Sequence, residues 1–234
     1  NKNSLNYLKL SIPALKKHKL KEILIIDGCS TDGSIKYINK KRIKVHSDLG
    51  RGLSYSRKLG SELAKGKFVF FIGPDDVCDV NFFKNLFKHF INEKYDAATI
   101  LIKIKKTKNY WDNCLNFWLE NIRKKGPASV IGTPTLFRKD VFKKVKYKEN
   151  SIGCDDTSIS HQLISKGFKI GVLNFVCDQA NNNKLSDIKR KFFLYGISDF
   201  SFYKLYKNKL SFFRKIYTFI RPLKHFFSFF FLAL

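Results

Sequence analysis

The sequence predicts an α/β fold, with a mostly parallel, Rossmann-like central sheet flanked by helices and a helical, aromatic and basic extension at the C-terminus. Three observations carry that expectation. Short β-rich runs alternate with stretches of helical spacing over the first hundred residues, the pattern of βαβ units. Turn residues (Gly, Ser, Asp, Asn) fill the short gaps between them. The last stretch, "FFRKIYTFIRPLKHFFSFFFLAL", is rich in Phe and cations and holds no carboxylate.

The elements follow in order. Leu5 to Leu15 has helical spacing, with Pro13 as a kink or late break. "EILIID" (Glu22 to Asp27) reads as a strand and "CSTDGS" as turn chemistry, where Ser30, Thr31 or Asp32 caps a helix through Ile38. "RIKVHS" is a second strand, and "GRGLSYSRKLGSELAKG" is a Gly-flanked loop and helix. The strand Phe68 to Ile72 follows, Asp79 caps a helix running to Asn92, and "YDAATILIKI" is a further strand. Near the end, Pro222 breaks the helical pattern and Phe226 to Leu234 is an uncharged apolar run. That run is about half of the ~20 residues a spanning helix needs. It suits a segment lying in the headgroup region of an anionic membrane, a helix packed on the domain, or the start of a longer spanning helix.

Composition narrows the function classes. The 234 residues make one large domain, or one with an appendage, and carry a formal charge of +26. Such a charge points to polyanionic partners, but Lys far outnumbers Arg and is scattered, and no nucleic-acid recognition motif appears. No nucleic-acid partner is expected. The five Cys include no C-x-x-C pair and are odd in number, which argues against a disulfide framework or zinc site and for a reducing compartment. The five His are not at ligand spacing. A chain without Met that starts at Asn1 is expected to lack its own N-terminal segment.

In a parallel sheet the ligand crevice lies at the carboxyl ends of the strands. Asp27 ends one strand, and Asp75 and Asp76 follow another in "FVFFIGPDDVCD". Adjacent carboxylates repel unless a cation sits between them and a ligand, and hard oxygens suit Mg²⁺ or Mn²⁺ bridging to phosphate. The same tetrapeptide also reads as a polar turn before a helix cap.

Four segments, in order, resemble the family 2 glycosyltransferases of GT-A fold. They are "EILIIDGCSTDGS", "GLSYSRKLGSELAKGKFVFFIGPDD", the pair "GTPTLFRKDVFKKV" and "GCDDTSISHQLISKGFKI", and "KRKFFLYGISDFSFYKL". The resemblance covers roughly residues 1–205 and places the family's first strand before Asn1. It implies an inverting transfer from a nucleotide-diphosphate sugar to a hydroxyl of a cell-envelope or lipid-linked glycan. Asp27 would contact the donor's base, Asp75 matches the last Asp of D-x-D, and Asp156 matches the general base. Asp155 stands beside it where Glu is usual, and Arg57 would sit near these carboxylates, if it is not simply a solvated helix residue. Asp155 and Asp156 also read as a plain helix cap. Asp75 and Asp76 would hold Mg²⁺ or Mn²⁺. Two departures are plain: Gly73 replaces the first Asp of D-x-D, and Gly28 the second acid of the usual Asp-Asp pair.

The resulting expectation has a glycosyltransferase domain at 1–205 and a membrane-associating segment at 206–234. Its partners are a nucleotide-sugar donor, a glycan or lipid-linked acceptor and a membrane surface. Its place is cytoplasmic, peripheral on the inner face of the cell membrane, where nucleotide sugars are made. A catalytically weakened scaffold of the same fold is the alternative, with a basic nucleic-acid-binding protein and a sugar nucleotidyltransferase as lesser rivals.

Overall fold

A computed structural model describes residues 1–105, 109–149, 153–180 and 183–233. The first unit is built from α1 (Leu5–Lys16), β1 (Leu24–Asp27), α2 (Ser34–Lys40) and β2 (Lys44–Ser47). β1 and β2 pair in parallel, from Leu24 opposite Lys44 to Asp27 opposite Ser47. Leu8, Ile12, Ile38 and Ile43 close a small core between α1, α2 and this pair. Pro13 lies inside α1, which continues to Lys16. Asp32 is not the N-cap of α2; Gly33 is, at φ +87°. Asp32 instead accepts from the N–H groups of Ser34 (3.0 Å) and Leu5 (2.8 Å), tying the starts of α2 and α1 together.

The main sheet is assembled from later elements. α3 (Leu53–Leu63) leads to β3 (Phe68–Phe71) and the short β4 (Asp76–Val77); α4 (Phe82–Asn92) then leads to β5 (Ala97–Ile104). α5 (Tyr110–Ile122), β6 (Gly126–Pro127), β7 (Thr135–Arg138), α6 (Asp155–Ser165) and β8 (Ile170–Gln179) complete it. The order is β3-β7-β5-β8-β4, with β6 also on β8. The expected α/β class holds, with helices covering a central sheet. Strand direction is more mixed than the alternation suggests: β5–β8 is parallel, whereas β7 lies antiparallel to both β3 and β5, and β4 and β6 lie antiparallel to β8. A parallel pair needs a helical crossover. α6 helps to supply one before β8, but β7 enters from the loop after β6 and returns the opposite way.

α4 is amphipathic and buries Phe82, Phe83, Leu86 and Phe90 against Ile100, Leu136 and Leu173 on one face of the sheet. On the other face, Ile159 and Leu163 of α6 pack with Ile131, Phe137 and Val141. α3 spans the two sheets: a methyl group on Gly60 would sit 3.4 Å from Phe71 of β3 and 3.7 Å from Ile26 of β1. It is this helix that carries Arg57 into the centre of the molecule.

α7 (Leu185–Tyr206) and α8 (Phe212–Ala233) follow. α8 continues through Pro222, so the expected break at that residue does not occur. One lost backbone bond is tolerated because the helix is held along its flank. Arg221 Nη1 donates to Asp199 of α7 (3.1 Å), Trp118 Nε1 of α5 donates to Ser228 Oγ (3.0 Å), and Phe229 is buried with Trp118 and Phe192. Leu234 lies outside the described residues. No helix among the described residues is long and apolar enough to cross a membrane.

Candidate active site

Three groups of polar residues meet the ends of these elements. At the end of β1, Asp27 is 1% exposed and both its oxygens are engaged. It accepts from Asn1 Nδ2 (2.7 Å), Ser30 N (2.8 Å) and Ser30 Oγ (2.7 Å). Burial pushes its carboxyl up, but these hydrogen bonds and the Asn1 ammonium outweigh that and hold it below the usual carboxylate range. Asp27 therefore sits where the sequence placed it and shapes the loop around Asn1 and Ser30. The next residue explains a departure. Gly28 donates its N–H to Asn1 O (2.7 Å), and a Cβ there would lie 3.3 Å from that oxygen and 3.5 Å from Asp48 Oδ2. An Asp at this position would crowd the contact.

The second group is the turn after β3. Asp76 is 1% exposed; it accepts from Gly73 N (2.7 Å) and Gln179 Nε2 (2.7 Å), using both oxygens. Burial is the main reason its carboxyl is pushed up to about 6, with the Asp75 charge adding to it and Gln179, Gly73 and Arg123 opposing. Asp75 is half-buried, and its carbonyl accepts from Ala180 N (2.8 Å). Both carboxylates fold over Gly73: a Cβ there would meet Asp75 Oδ1 at 2.5 Å and Asp76 Oδ2 at 3.1 Å. Gly73 is the residue that lets the two acids share one turn.

The third group centres on Arg57, which is 8% exposed. Its guanidinium contacts the carboxylates of Asp155 and Asp156 and the hydroxyl of Thr133. Burial works against its charge, but Asp156 and Asp155 more than compensate, so its pKa lies above the ordinary arginine value. The solvated-helix alternative for Arg57 is excluded. Asp155 is buried; that burial is the main cause of a pKa raised to about 6, with Arg57 pulling it down and the Asp156 charge adding to it. Asp156 keeps 36% of its side chain exposed while Arg57 grips one oxygen. The N-cap of α6 is Cys154, with no side-chain capping bond, so the two acids are first-turn residues and not caps. There the helix dipole favours their charge.

Two residues the sequence did not single out join these groups. Gln179, at the end of β8, orients Asp76. Arg123, just past α5, places Nη2 3.8 Å and Asp156 Oδ2 3.2 Å from the Cβ position of Gly132. Its charge also reaches Asp76. Neither had a signal in the chain: a cation at a helix C-terminus and a polar residue at a strand end are everyday features.

The donor set can be tested against a divalent ion. No cluster of three or more His, Cys, Asp or Glu suited to a metal is found among the described residues. Asp76 has both oxygens committed to Gly73 and Gln179, and Asp75 lies half-buried beside it. One or two carboxylates with substrate phosphates and water is the usual setting of Mg²⁺, so the pair fits an ion held chiefly by Asp75, with Asp76 fixing the turn.

The profile of Glycosyl transferase family 2 matches residues 1–146. The minor teichoic acid biosynthesis protein GgaB of Bacillus subtilis (strain 168) is 25% identical over 129 residues, 52% of this chain. The match spans 14% of GgaB, a much longer protein. Among solved structures, S. aureus TarS 1–349, also crystallised in complex with UDP-GlcNAc, superposes over 98% of this chain and 70% of its own, with a TM-score of 0.61 and 16% identity. The mannosyltransferase PcManGT from Pyrobaculum calidifontis, in complex with GDP-Man and Mn²⁺, covers 99% of this chain and 71% of its own at a TM-score of 0.68 and 12% identity. At these identities the structural likeness speaks to the fold, which is the GT-A fold that the four motifs implied. The profile match extends over more than half of the chain, and with the motif order it shows that this protein belongs to glycosyl transferase family 2.

Proposed function

We propose that the chain is the catalytic domain of an inverting glycosyltransferase that moves a sugar from a nucleotide diphosphate to a hydroxyl of a cell-envelope or lipid-linked glycan. One observation carries the reading: Asp156, at the start of α6, is held by Arg57 through one oxygen and keeps part of its carboxylate accessible beside Gly132. In a single displacement the acceptor O–H proton passes to Asp156, the acceptor oxygen bonds the anomeric carbon, and the electron pair of the breaking C–O bond leaves with the diphosphate. Arg57 orients Asp156 through one oxygen, and Asp155, behind it, fixes Arg57. The donor's base lies against the loop anchored by Asp27. A Mg²⁺ or Mn²⁺ ion on Asp75 would supply positive charge to the leaving phosphate. The mannosyltransferase crystallised with GDP-Man and Mn²⁺ and the TarS complex with UDP-GlcNAc support a nucleotide-sugar donor. The GgaB likeness supports a cell-envelope acceptor.

The domain works on the inner face of the cell membrane, with residues 206–234 at the surface. α8 supports this by the way it is turned. Its inward stripe holds Thr218, Arg221, His225 and Ser228, while Phe212, Phe213, Phe219, Leu223 and Phe227 face outward, Phe213 at 81% exposure. A helix that turns these large apolar side chains outward, with the exposed Lys224 among them, suits the surface of an anionic membrane.

Asp156→Asn tests the mechanism. The amide keeps shape but takes no proton, so sugar transfer falls by about two to four orders of magnitude, while binding of UDP or GDP, read by calorimetry, stays within a few-fold. Unchanged turnover removes Asp156 from the reaction. The weakened-scaffold reading draws on Gly73 and the inward Asp76. It gains if no nucleoside diphosphate binds with Mn²⁺.

A further inference from the structure

Arg123 has no place in the motifs that mark the family resemblance, yet its side chain enters the gap between the two acidic groups. The backbone N–H donates to Leu119 O (3.0 Å), closing α5, and the guanidinium then extends toward Gly132. Nη2 lies beside the same Gly132 that Asp156 Oδ2 approaches, and the charge is felt at Asp76. No ion pair within 4.0 Å joins Arg123 to either acid among the described residues. Arg57, not Arg123, neutralises Asp155 and Asp156. Arg123 Nη1 is shut off from solvent and has no hydrogen-bond partner among the described residues. A charged donor shut off from solvent is costly to leave without an acceptor, and none is found among the described residues.

We propose that Arg123 is an anion-binding residue that holds the diphosphate of the donor between the Gly73–Asp76 turn and Asp156. The inference rests on the glycosyltransferase reading and adds to it the group that meets the leaving charge. The planar fork of a guanidinium pairs two phosphate oxygens at once, which a lysine does not. The position is apt: the base takes the acceptor's proton on one side of the cation, and the electron pair of the broken C–O bond comes to rest on a phosphate oxygen on the other. A fixed cation aimed at that oxygen strengthens its hold as the charge develops. Gly132 eases the approach of Asp156, because a Cβ there would lie only 3.2 Å from its Oδ2, with Arg123 Nη2 in ordinary contact at 3.8 Å.

The test is calorimetric titration of the 234-residue chain, and of Arg123→Gln and Arg123→Lys, with UDP, GDP and inorganic pyrophosphate at constant Mn²⁺. Arg123→Gln is expected to weaken binding of pyrophosphate and of the nucleotide that wild type prefers by about tenfold or more, the scale of a charge-assisted pair. Arg123→Lys is expected to restore part of that loss. If wild type binds UDP or GDP and the Gln variant binds it equally well, the role of Arg123 is overturned and the glycosyltransferase reading stands. If wild type binds pyrophosphate through Arg123 but neither nucleotide, the anion site stands and the donor assignment falls. Binding of none of the three overturns both. Should the Gln variant fail to fold, the Arg123 Nε–H resonance of wild type, assigned from the Lys variant, gives the answer. It is expected to move on addition of pyrophosphate, and a static resonance overturns the proposal.

Discussion

Asp75 and Asp76 are neighbours in sequence with opposite tasks. Asp76 is spent on structure: its two oxygens take the N–H of Gly73 and the amide of Gln179, which locks β4 to β8. Asp75 is the proposed ligand of the ion. Asp75→Ala is expected to lower Mn²⁺-dependent UDP affinity about tenfold or more. Asp76→Ala is expected to cost about 1–3 kcal/mol of stability, because two donors lose their acceptor. Denaturant unfolding and calorimetry on both variants check this. Equal loss of affinity in the two would show that the acids act as a pair. Arg57 shows how much a single residue gains from its surroundings. On α3 alone it is an ordinary cation; under Thr133, Asp155 and Asp156 it becomes the post to which the proposed base is tied.

Among the elements, α8 is the one whose orientation departs most from that of a domain helix. Asp199, Trp118 and Phe192 hold its inner stripe. Lys204, Lys207, Lys209 and Lys224 are exposed, Arg214 and Lys215 are half-buried, and no Asp or Glu follows Asp199 in the sequence. A second copy of so basic a face would be repelled, whereas an anionic bilayer would attract it. Flotation with phosphatidylglycerol-containing vesicles is expected to carry the full chain and to fail for one ending at Asn208. A gentler variant is Phe213→Ser with Phe219→Ser, which leaves the inner stripe intact. Each lost aromatic removes on the order of 1.5–3 kcal/mol of apolar burial, so partitioning should drop by at least tenfold. If both shortened and full chains float alike, the helix has no anchoring role and only the diffuse Lys charge remains.

The whole molecule answers to pH through buried groups that pull in opposite directions. Asp76 and Asp155 have folded pKa values of about 6 against an ordinary 3.8, so the stability each contributes is full below about pH 4 and is lost as pH rises to about 6. His225, pushed down from 6.5 to about 4 chiefly by burial and also by Arg221 and Lys224, contributes in the other sense: full above 6.5, lost as pH falls to about 4. Two declining contributions against one rising one of similar size give wild type a net loss of stability from pH 4 to 6.5. Asp76→Asn removes one declining contribution, on the order of 3 kcal/mol, so its melting temperature should rise relative to wild type across that interval. A constant difference would show that Asp76 does not titrate there. Much of this protein was legible before folding. The α/β class, the runs that became β1, β3 and β5, and the placing of Asp27, Asp75 and Asp156 at element ends follow from local periodicity and turn chemistry, which depend on near neighbours. Gly28 and Gly73 were visible as departures, but their reason was not, since it lies in atoms brought close by the loop of Asn1 and the fold-back of two carboxylates. Tertiary structure alone decided the rest. It set the antiparallel course of β7, carried α8 through Pro222, and drew Arg57 to acids about a hundred residues away. It also buried Arg123 Nη1 between two acidic groups. Those outcomes turn on contacts between distant segments, and a linear pattern holds no record of which distant segments will share a dry, charged space.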